Sequence, residues 1–296
     1  MESTRLPRFK RALGVAPIEL TARDRGIIRH VFAHRFLRSA HLASLIQGGD
    51  QAVRRRLQRL YHHGYLDRPR AQIDYYRRGS QPMVYGLGNN GMRLLEETLG
   101  IPRRKIDWTA NNRAVTRFHL EHTLAVADVM VAFELACRRS GFELLNLPTH
   151  SPEPLKWKVQ IAEAEGVEEI GVVPDRVFGL RSNTEPAETR WFFLEVDRAT
   201  MPVQRNGLRQ TSFHRKVVAY HETWRQGVLR DRFPRFRVLT VTTTPDRVRN
   251  LVASCANLRS GQGLFLFTDA SSLKAHGDPL THVWQSGRAG SSETMV

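Results

Sequence analysis

The amino-acid sequence predicts an α+β protein in two parts: a small helical domain closed by a β-hairpin, then a larger α/β domain built on a mixed sheet. Three observations point there. The 296 residues hold 45 Lys+Arg and 29 Asp+Glu, and 21 of the basic but only 8 of the acidic side chains precede residue 106, so +13 of the net +16 lies in the first third. In that third, apolar residues recur at the 3.6-residue period of helices, whereas after residue 141 they come in short runs split by Pro, Gly and acidic turns. Between the two, residues 102–107 are charged and lack periodic apolar positions, the composition of a linker. The predicted boundaries are 1–105, 106–286 and a disordered tail over 287–296, where apolar residues are few.

Composition narrows the class. With 41% hydrophobic and 25% charged residues the chain is globular in character. Its two cysteines, Cys137 and Cys255, are too few for a disulfide framework or a four-cysteine zinc site, which favours a reducing compartment. No apolar run approaches the roughly 18 residues of a membrane helix, and the start MESTRLPRFKRALG has basic residues with no apolar stretch behind them. A cytoplasmic protein without a membrane partner is expected. A basic block attached to a nearly neutral remainder is the footprint of a nucleic-acid-binding module, here for double-stranded DNA.

The elements of the first part follow from local pattern. Thr21 with Asp24 forms a capping box, and Ile27, Ile28, Val31 and Phe32 continue a helix to about residue 36. Ser39 starts a short second helix through Leu42, Leu45 and Ile46, stopped by Gly48 and Gly49. A third helix over 50–63 carries the apolar stripe Val53, Leu57, Leu60 and Tyr61, leaving Gln51, Arg54, Arg55, Gln58, Arg59 and His62 to point away. Arginine can grip guanine bidentately in the major groove. Strands over 65–72 and 82–87 flank a connection with Tyr75, Tyr76, Arg77, Arg78 and Gly79. Three helices and this hairpin make a winged helix-turn-helix, with the third helix in the major groove and Arg77 and Arg78 at the wing tip reaching phosphate or the minor groove. A further helix runs from Asn89 to Gly100.

In the second part a long helix over 112–139 carries His119, Glu121 and His122; two histidines at i, i+3 can share a face, yet no third zinc ligand follows at a telling spacing. Strands are expected over 142–147, 157–162, 171–173 with Val177 and Phe178 beyond, and 191–196, then a helix over 204–224, a strand over 236–243, a helix over 245–258 and a strand over 264–267. Pro174 and Asp175 close one strand, and Glu195, Val196 and Asp197 close another. Side chains alternate along a strand, so Glu195 and Asp197 share a face, and with Asp175 three carboxylates gather at one end. Mg²⁺ is the cation that such a cluster would hold, relieving the repulsion while polarising phosphate and activating water.

A Pro-Asp followed about twenty residues later by an acidic strand resembles the PD-(D/E)XK nuclease signature, and the order of elements resembles that family's restriction-endonuclease-like αβββαβ core. Where the signature has Lys two residues after the second acid, this chain has Asp197. The resemblance implies Asp175 and Glu195 as metal ligands, Asp197 as a third acid, and Lys216 as a catalytic cation displaced onto the next helix. LTARD with its arginine-rich helix, VYGLGNNG, HLEHTLAVADV, VPD, FFLEVDRAT and the Lys216-x-x-x-Tyr220 helix together resemble the replication-relaxation family of bacterial plasmids and other mobile elements, over about residues 20–245. That likeness implies a winged-helix DNA-binding half joined to a nuclease-like half, and a role in replication or mobilisation of mobile DNA beside replication or mobilisation proteins or a second copy of the chain. Three mechanisms stay open: a Mg²⁺-dependent nickase using Asp175, Glu195, Asp197 and Lys216; a non-catalytic regulator or accessory factor whose nuclease-like domain serves dimerisation or partner binding; and a tyrosine relaxase with Tyr220 as nucleophile, for which the usual His-x-His strand is missing.

Overall fold

Thr21 starts the first helix because its hydroxyl accepts from the Asp24 amide while the Asp24 carboxylate accepts from the Thr21 amide at 2.8 Å, satisfying two helix-end donors at once. The computed structural model describes residues 7–73, 81–101, 106–146, 155–163 and 166–295. The chain divides into two units, Met1–Val131 and Ala132–Val296.

The first unit contains α1 (Ala22–His34), β1 (Phe36–Arg38), α2 (Ser39–Leu45), α3 (Asp50–His62), β2 (Leu66–Asp67), β3 (Val84–Leu87), α4 (Asn89–Leu99), α5 (Trp108–Ala114) and the start of α6 (Arg117–Cys137). The strands form an antiparallel sheet in the order β1-β3-β2. The helix predicted to about residue 36 ends at His34, and Phe36–Arg38 form β1 instead. Arg35 ends α1 with a positive φ of 68°, a conformation costly for a non-glycine. Its guanidinium lies 4.3 Å from the Phe36 ring centroid and donates to Asn112 Oδ1 at 2.7 Å, contacts that hold the turn. The expected strand over 65–72 shortens to β2 because Gln72 turns in a 3-10 helix and pairs through its side chain instead, donating to the Val84 carbonyl at 2.9 Å and accepting from the Val84 amide at 2.8 Å. Gly88 and Gly91 are required by close approach, since a Cβ at either would lie 2.2 Å from the carbonyl oxygen of Gly64 or Tyr65.

The second unit carries a seven-stranded sheet in the order β12-β11-β10-β9-β8-β7-β4, made of β4 (Phe142–Asn146), β7 (Arg176–Ser182), β8 (Thr189–Val196), β9 (Phe236–Thr242), β10 (Phe265–Asp269), β11 (Trp284–Ser286) and β12 (Ser292–Glu293). β8, β9 and β10 run parallel, and the other neighbours are antiparallel. Helix α7 (Phe213–Arg225) connects β8 to β9, α8 (Pro245–Ser254) connects β9 to β10, and α9 (Ala270–His276) follows β10. β5 (Trp157–Glu163) and β6 (Gly166–Val172) pair as a separate hairpin. Without that hairpin, the order from α6 to β9 is helix, three strands, helix, strand.

Alternation along β8 sends side chains to two cores. Phe193 packs with Trp157, Tyr220, Phe233 and Phe236 on the side covered by α7. Phe192 stacks on Phe178, which meets Phe133 of α6. The helix expected from residue 204 begins only at Phe213, where Ser212 accepts from the Arg215 amide. The tail departs from expectation most. Residues 292–293 add a strand, Met295 is buried, and its carbonyl accepts from Arg190 at 2.8 Å. Backbone pairing and one apolar anchor order a segment whose composition lacks an apolar run.

Asp24 gives the first unit a testable buried charge. Burial would push its carboxyl up, but hydrogen bonds from Arg56 and Thr21 outweigh this and hold it below the usual carboxylate range. A depressed native pKa stabilises at pH above the unfolded value, and the contribution is lost as pH falls through the native one. Arg56→Ala is therefore expected to cost about 3 kcal/mol in urea unfolding at neutral pH, the low end for a broken buried pair, and less on acidification as Asp24 takes up a proton. A loss that is independent of pH contradicts this.

Candidate functional site

Two groups of residues carry chemistry, one in each unit. In the first, helix α3 buries Val53, Leu57, Leu60 and Tyr61 and exposes Gln51, Arg54, Arg55 and Arg59, as its period requires. Gln58 is half-buried. Arg54 pairs with Asp50 one turn away at 2.8 Å, with both side chains more than half exposed, and Arg59 donates to the Pro17 carbonyl at 3.2 Å. Arg56, between the outward residues, turns inward to Asp24.

His62 does not join the outward face. It is buried, and its Nδ1 accepts from the Ala12 amide at 3.1 Å, because the segment before α1 runs back over the end of α3. His63 Nε2 contacts the Ala16 carbonyl and Arg11 donates to the Tyr61 carbonyl along the same path. Burial, then the Arg68, His63 and Arg11 charges, push the His62 imidazole down, so it is neutral at pH 7. Arg77 and Arg78 lie outside the described residues. Among the described residues no third ligand gathers with His119 and His122.

The second group forms at the carboxyl end of β8. Asp175, just before β7, donates its amide to the Leu194 carbonyl at 3.1 Å and accepts from the Val196 amide on Oδ2 at 2.7 Å. Lys216 and Tyr220 are four residues apart and share one face of α7. Both reach Glu195: Lys216 Nζ donates to Oε2 at 2.5 Å and the Tyr220 hydroxyl to Oε1 at 2.6 Å. Glu195 is 2% exposed and Tyr220 1%. Burial pushes the Glu195 carboxyl up. Burial would lower Lys216, but the Glu195 and Asp175 carboxylates hold its ammonium above the usual range. Tyr220 is pushed well above the usual phenol value by burial and by Glu195, which keeps it a hydrogen-bond donor and not a phenolate nucleophile.

Asp197 has other partners. Strand β8 ends at Val196, so the alternation that would align Asp197 with Glu195 stops one residue early. The Asp197 amide donates to the Val241 carbonyl at 2.9 Å. Its Oδ2 accepts from Thr242 Oγ1 at 2.7 Å and Arg247 Nε at 2.8 Å, and its Oδ1 from Arg247 Nη2 and the Ala199 amide at 3.2 Å. Sequence reasoning missed Arg247. Its signal was Thr244 capping a helix that starts at Pro245, which puts Arg247 in a first turn directly after β9.

A hydrated Mg²⁺ needs carboxylate oxygens open to it and to its retained waters. Both oxygens of the buried Glu195 already accept from a cation or a hydroxyl, and both oxygens of Asp197 accept from Arg247. Asp175 is half-buried, and its Oδ2 accepts from the Val196 amide. The residues therefore do not fit a three-carboxylate Mg²⁺ site.

Removing Lys216 leaves Glu195 buried without its cation. Lys216→Met is expected to cost about 2 kcal/mol at neutral pH, less than a fully buried pair because the lysine side chain is 39% exposed. A carboxyl whose native pKa is raised stabilises below its unfolded value and loses that contribution as pH rises through the native one. The loss in Lys216→Met should thus be larger at about pH 8 than at about pH 5 in denaturant titrations; the reverse order would mean that Glu195 is not the partner left uncompensated.

No curated protein and no solved structure matches the chain. A family model described as replication-relaxation matches residues 28–238, from within α1 to within β9, and so takes in both α3 and the Glu195 cluster. On a match covering most of its length, the chain belongs to the replication-relaxation family.

Proposed function

We propose that the protein is a DNA-binding factor in the replication or mobilisation of plasmid or other mobile DNA, and that its nuclease-like second unit does not cut. Membership of the replication-relaxation family supports the biological role. The order α1, β1, α2, α3, β2, β3 with a three-stranded antiparallel sheet supports reading the first unit as a winged helix-turn-helix with α3 as the reading helix. The observation that carries DNA binding is the face of α3: Gln51, Arg54, Arg55 and Arg59 are exposed together on a helix of groove-filling length whose opposite side is fully buried.

The helix, three strands, helix, strand order of the second unit supports a nuclease-like ancestry, and Asp175, Glu195 and Lys216 converge where that fold would place its chemistry. That convergence favours the cutting reading. Against it, Glu195 is sealed and doubly occupied, and Asp197 is committed to Arg247. An ion pair on a buried carboxylate serves as a structural tie between β8 and α7, leaving the second unit to act as a scaffold. Both cysteines are buried and unpaired, in keeping with a cytoplasmic setting.

Duplex binding is expected to weaken steeply with salt, and Arg55→Ala with Arg59→Ala to cost about 1–3 kcal/mol per base contact. Supercoiled plasmid incubated with the protein and Mg²⁺ or Mn²⁺ should be retarded and remain supercoiled. Nicking that disappears in Asp175→Ala would establish the cutting reading, and affinity unchanged in the double arginine variant would remove α3 as the reading helix.

A further inference from the structure

We propose that the loop over residues 204–212 is a second DNA-binding surface, which grips the phosphate backbone of a duplex from the second unit. The inference rests on the reading of the protein as a DNA-binding factor, and adds a contact that neither α3 nor the Glu195 cluster supplies.

The charge of this region is one-sided. From Arg198 to His221 the chain holds Arg198, Arg205, Arg209, Arg215 and Lys216 and no Asp or Glu, inside a half of the protein that is otherwise almost neutral. Position strengthens the contrast. The loop leaves the carboxyl end of β8, and β8, β9 and β10 are parallel, so it rises from the edge where open α/β sheets bind ligands. The acids at this edge do not cancel it. Glu195 is buried under Lys216 and Tyr220, Asp197 is bound by Arg247, Asp175 is half-buried with Oδ2 on the Val196 amide, and Asp246 pairs with Arg249, so these carboxylates have protein partners before any phosphate approaches.

The loop is also built to hold its arginines in place. Its two ends are stitched together by the Phe213 amide donating to the Pro202 carbonyl at 3.0 Å and the His214 amide donating to the Val203 carbonyl at 2.8 Å. Arg247 donates to the Met201 carbonyl at 2.6 Å just before the loop begins. Leu208 is buried in the main core of the unit, and Ser212 is buried as the cap of α7. A loop with joined ends and its own apolar anchor is an Ω-loop, a form that orders exposed side chains without adding regular structure. Arg205 and Arg209 flank the Leu208 anchor and are exposed, and Arg205 is steadied by Gln210 at 3.1 Å.

The chemistry of the surface selects its partner. Its exposed side chains are those of Gln204, Arg205, Asn206, Arg209, Gln210 and Thr211, all polar donors, with no apolar or aromatic residue among them. A protein interface is expected to centre on a desolvated apolar or aromatic anchor, which this surface lacks. Arginine, amide and hydroxyl donors are the set that contacts phosphate and sugar, fixing position and carrying no sequence information.

The test is a salt titration with the full-length chain and a random-sequence duplex of about 30 base pairs, in which the slope of log affinity against log salt reports phosphates neutralised. Arg205→Ala with Arg209→Ala should make that slope shallower by roughly 2, one for each lost phosphate contact, while Arg205→Lys with Arg209→Lys restores it. Thermal unfolding of each variant should match the parent, since Leu208 and Ser212 are kept. If the alanine pair leaves the slope unchanged while Arg55→Ala with Arg59→Ala weakens binding, the loop is not a DNA contact although the protein binds DNA. If the parent chain shows no salt-dependent binding, the DNA reading itself fails and the inference with it.

Discussion

A carboxylate removed almost wholly from water loses hydration worth several kcal/mol, and it survives only where other charges and donors replace that water. Glu195 meets this condition through Lys216 and Tyr220, two residues one helical turn apart. The pairing sets the rotation of α7 about its axis, because both donors must face β8 together. Tyr220 in turn packs against Trp157 and Phe193, and Trp157 donates to Thr223 of the same helix at 2.7 Å, which seats the β5–β6 hairpin on α7. Sheet, helix and hairpin thus share one electrostatic contact as their reference point. Asp175 enters from the turn just before β7, and its backbone and side chain both bond to β8.

The same residue types do opposite work depending on the water around them. Arg55 and Arg56 are sequence neighbours on α3, yet one is exposed and the other bonds the buried Asp24. Glu195 and Asp197 are two residues apart and take their cations from different helices, Lys216 of α7 and Arg247 of α8. Net charge cannot distinguish these cases. The +16 of the chain includes arginines that hold the fold together and arginines that remain at the surface, and only burial and partner separate them.

Much of the architecture was readable from local pattern. The capping box at Thr21, the stripe on α3 and the alternation of β8 are short-range signals, and helices and strands formed where they occur. Losses came where tertiary contacts override local preference. β1 is three residues long and exists only through pairing with β3; Gln72 replaces a strand residue with its side-chain amide; and β12 needs β11 and the anchor Met295. At the Glu195 cluster the residue types were readable, and Lys216 was set beside the acids by the resemblance to the PD-(D/E)XK pattern, while the start of its helix was not, because a long loop over 197–212 intervenes. Arg247 was not readable, since it arrives from fifty residues on, and the fate of Asp197 depended on where one strand ends. His62 was misplaced because nothing in the helical period announces a segment folding back over it.

Glu195 is held by Lys216 and Tyr220 of α7, and on the function proposed above it takes no metal. Titration of the intact protein with Mn²⁺, read as loss of the free-ion electron paramagnetic resonance signal, tests this without any need for substrate. No stoichiometric site is expected, and the trace should be the same for the parent chain and for Glu195→Gln. One equivalent of Mn²⁺ held by the parent and released in Glu195→Gln and Asp175→Asn would contradict it.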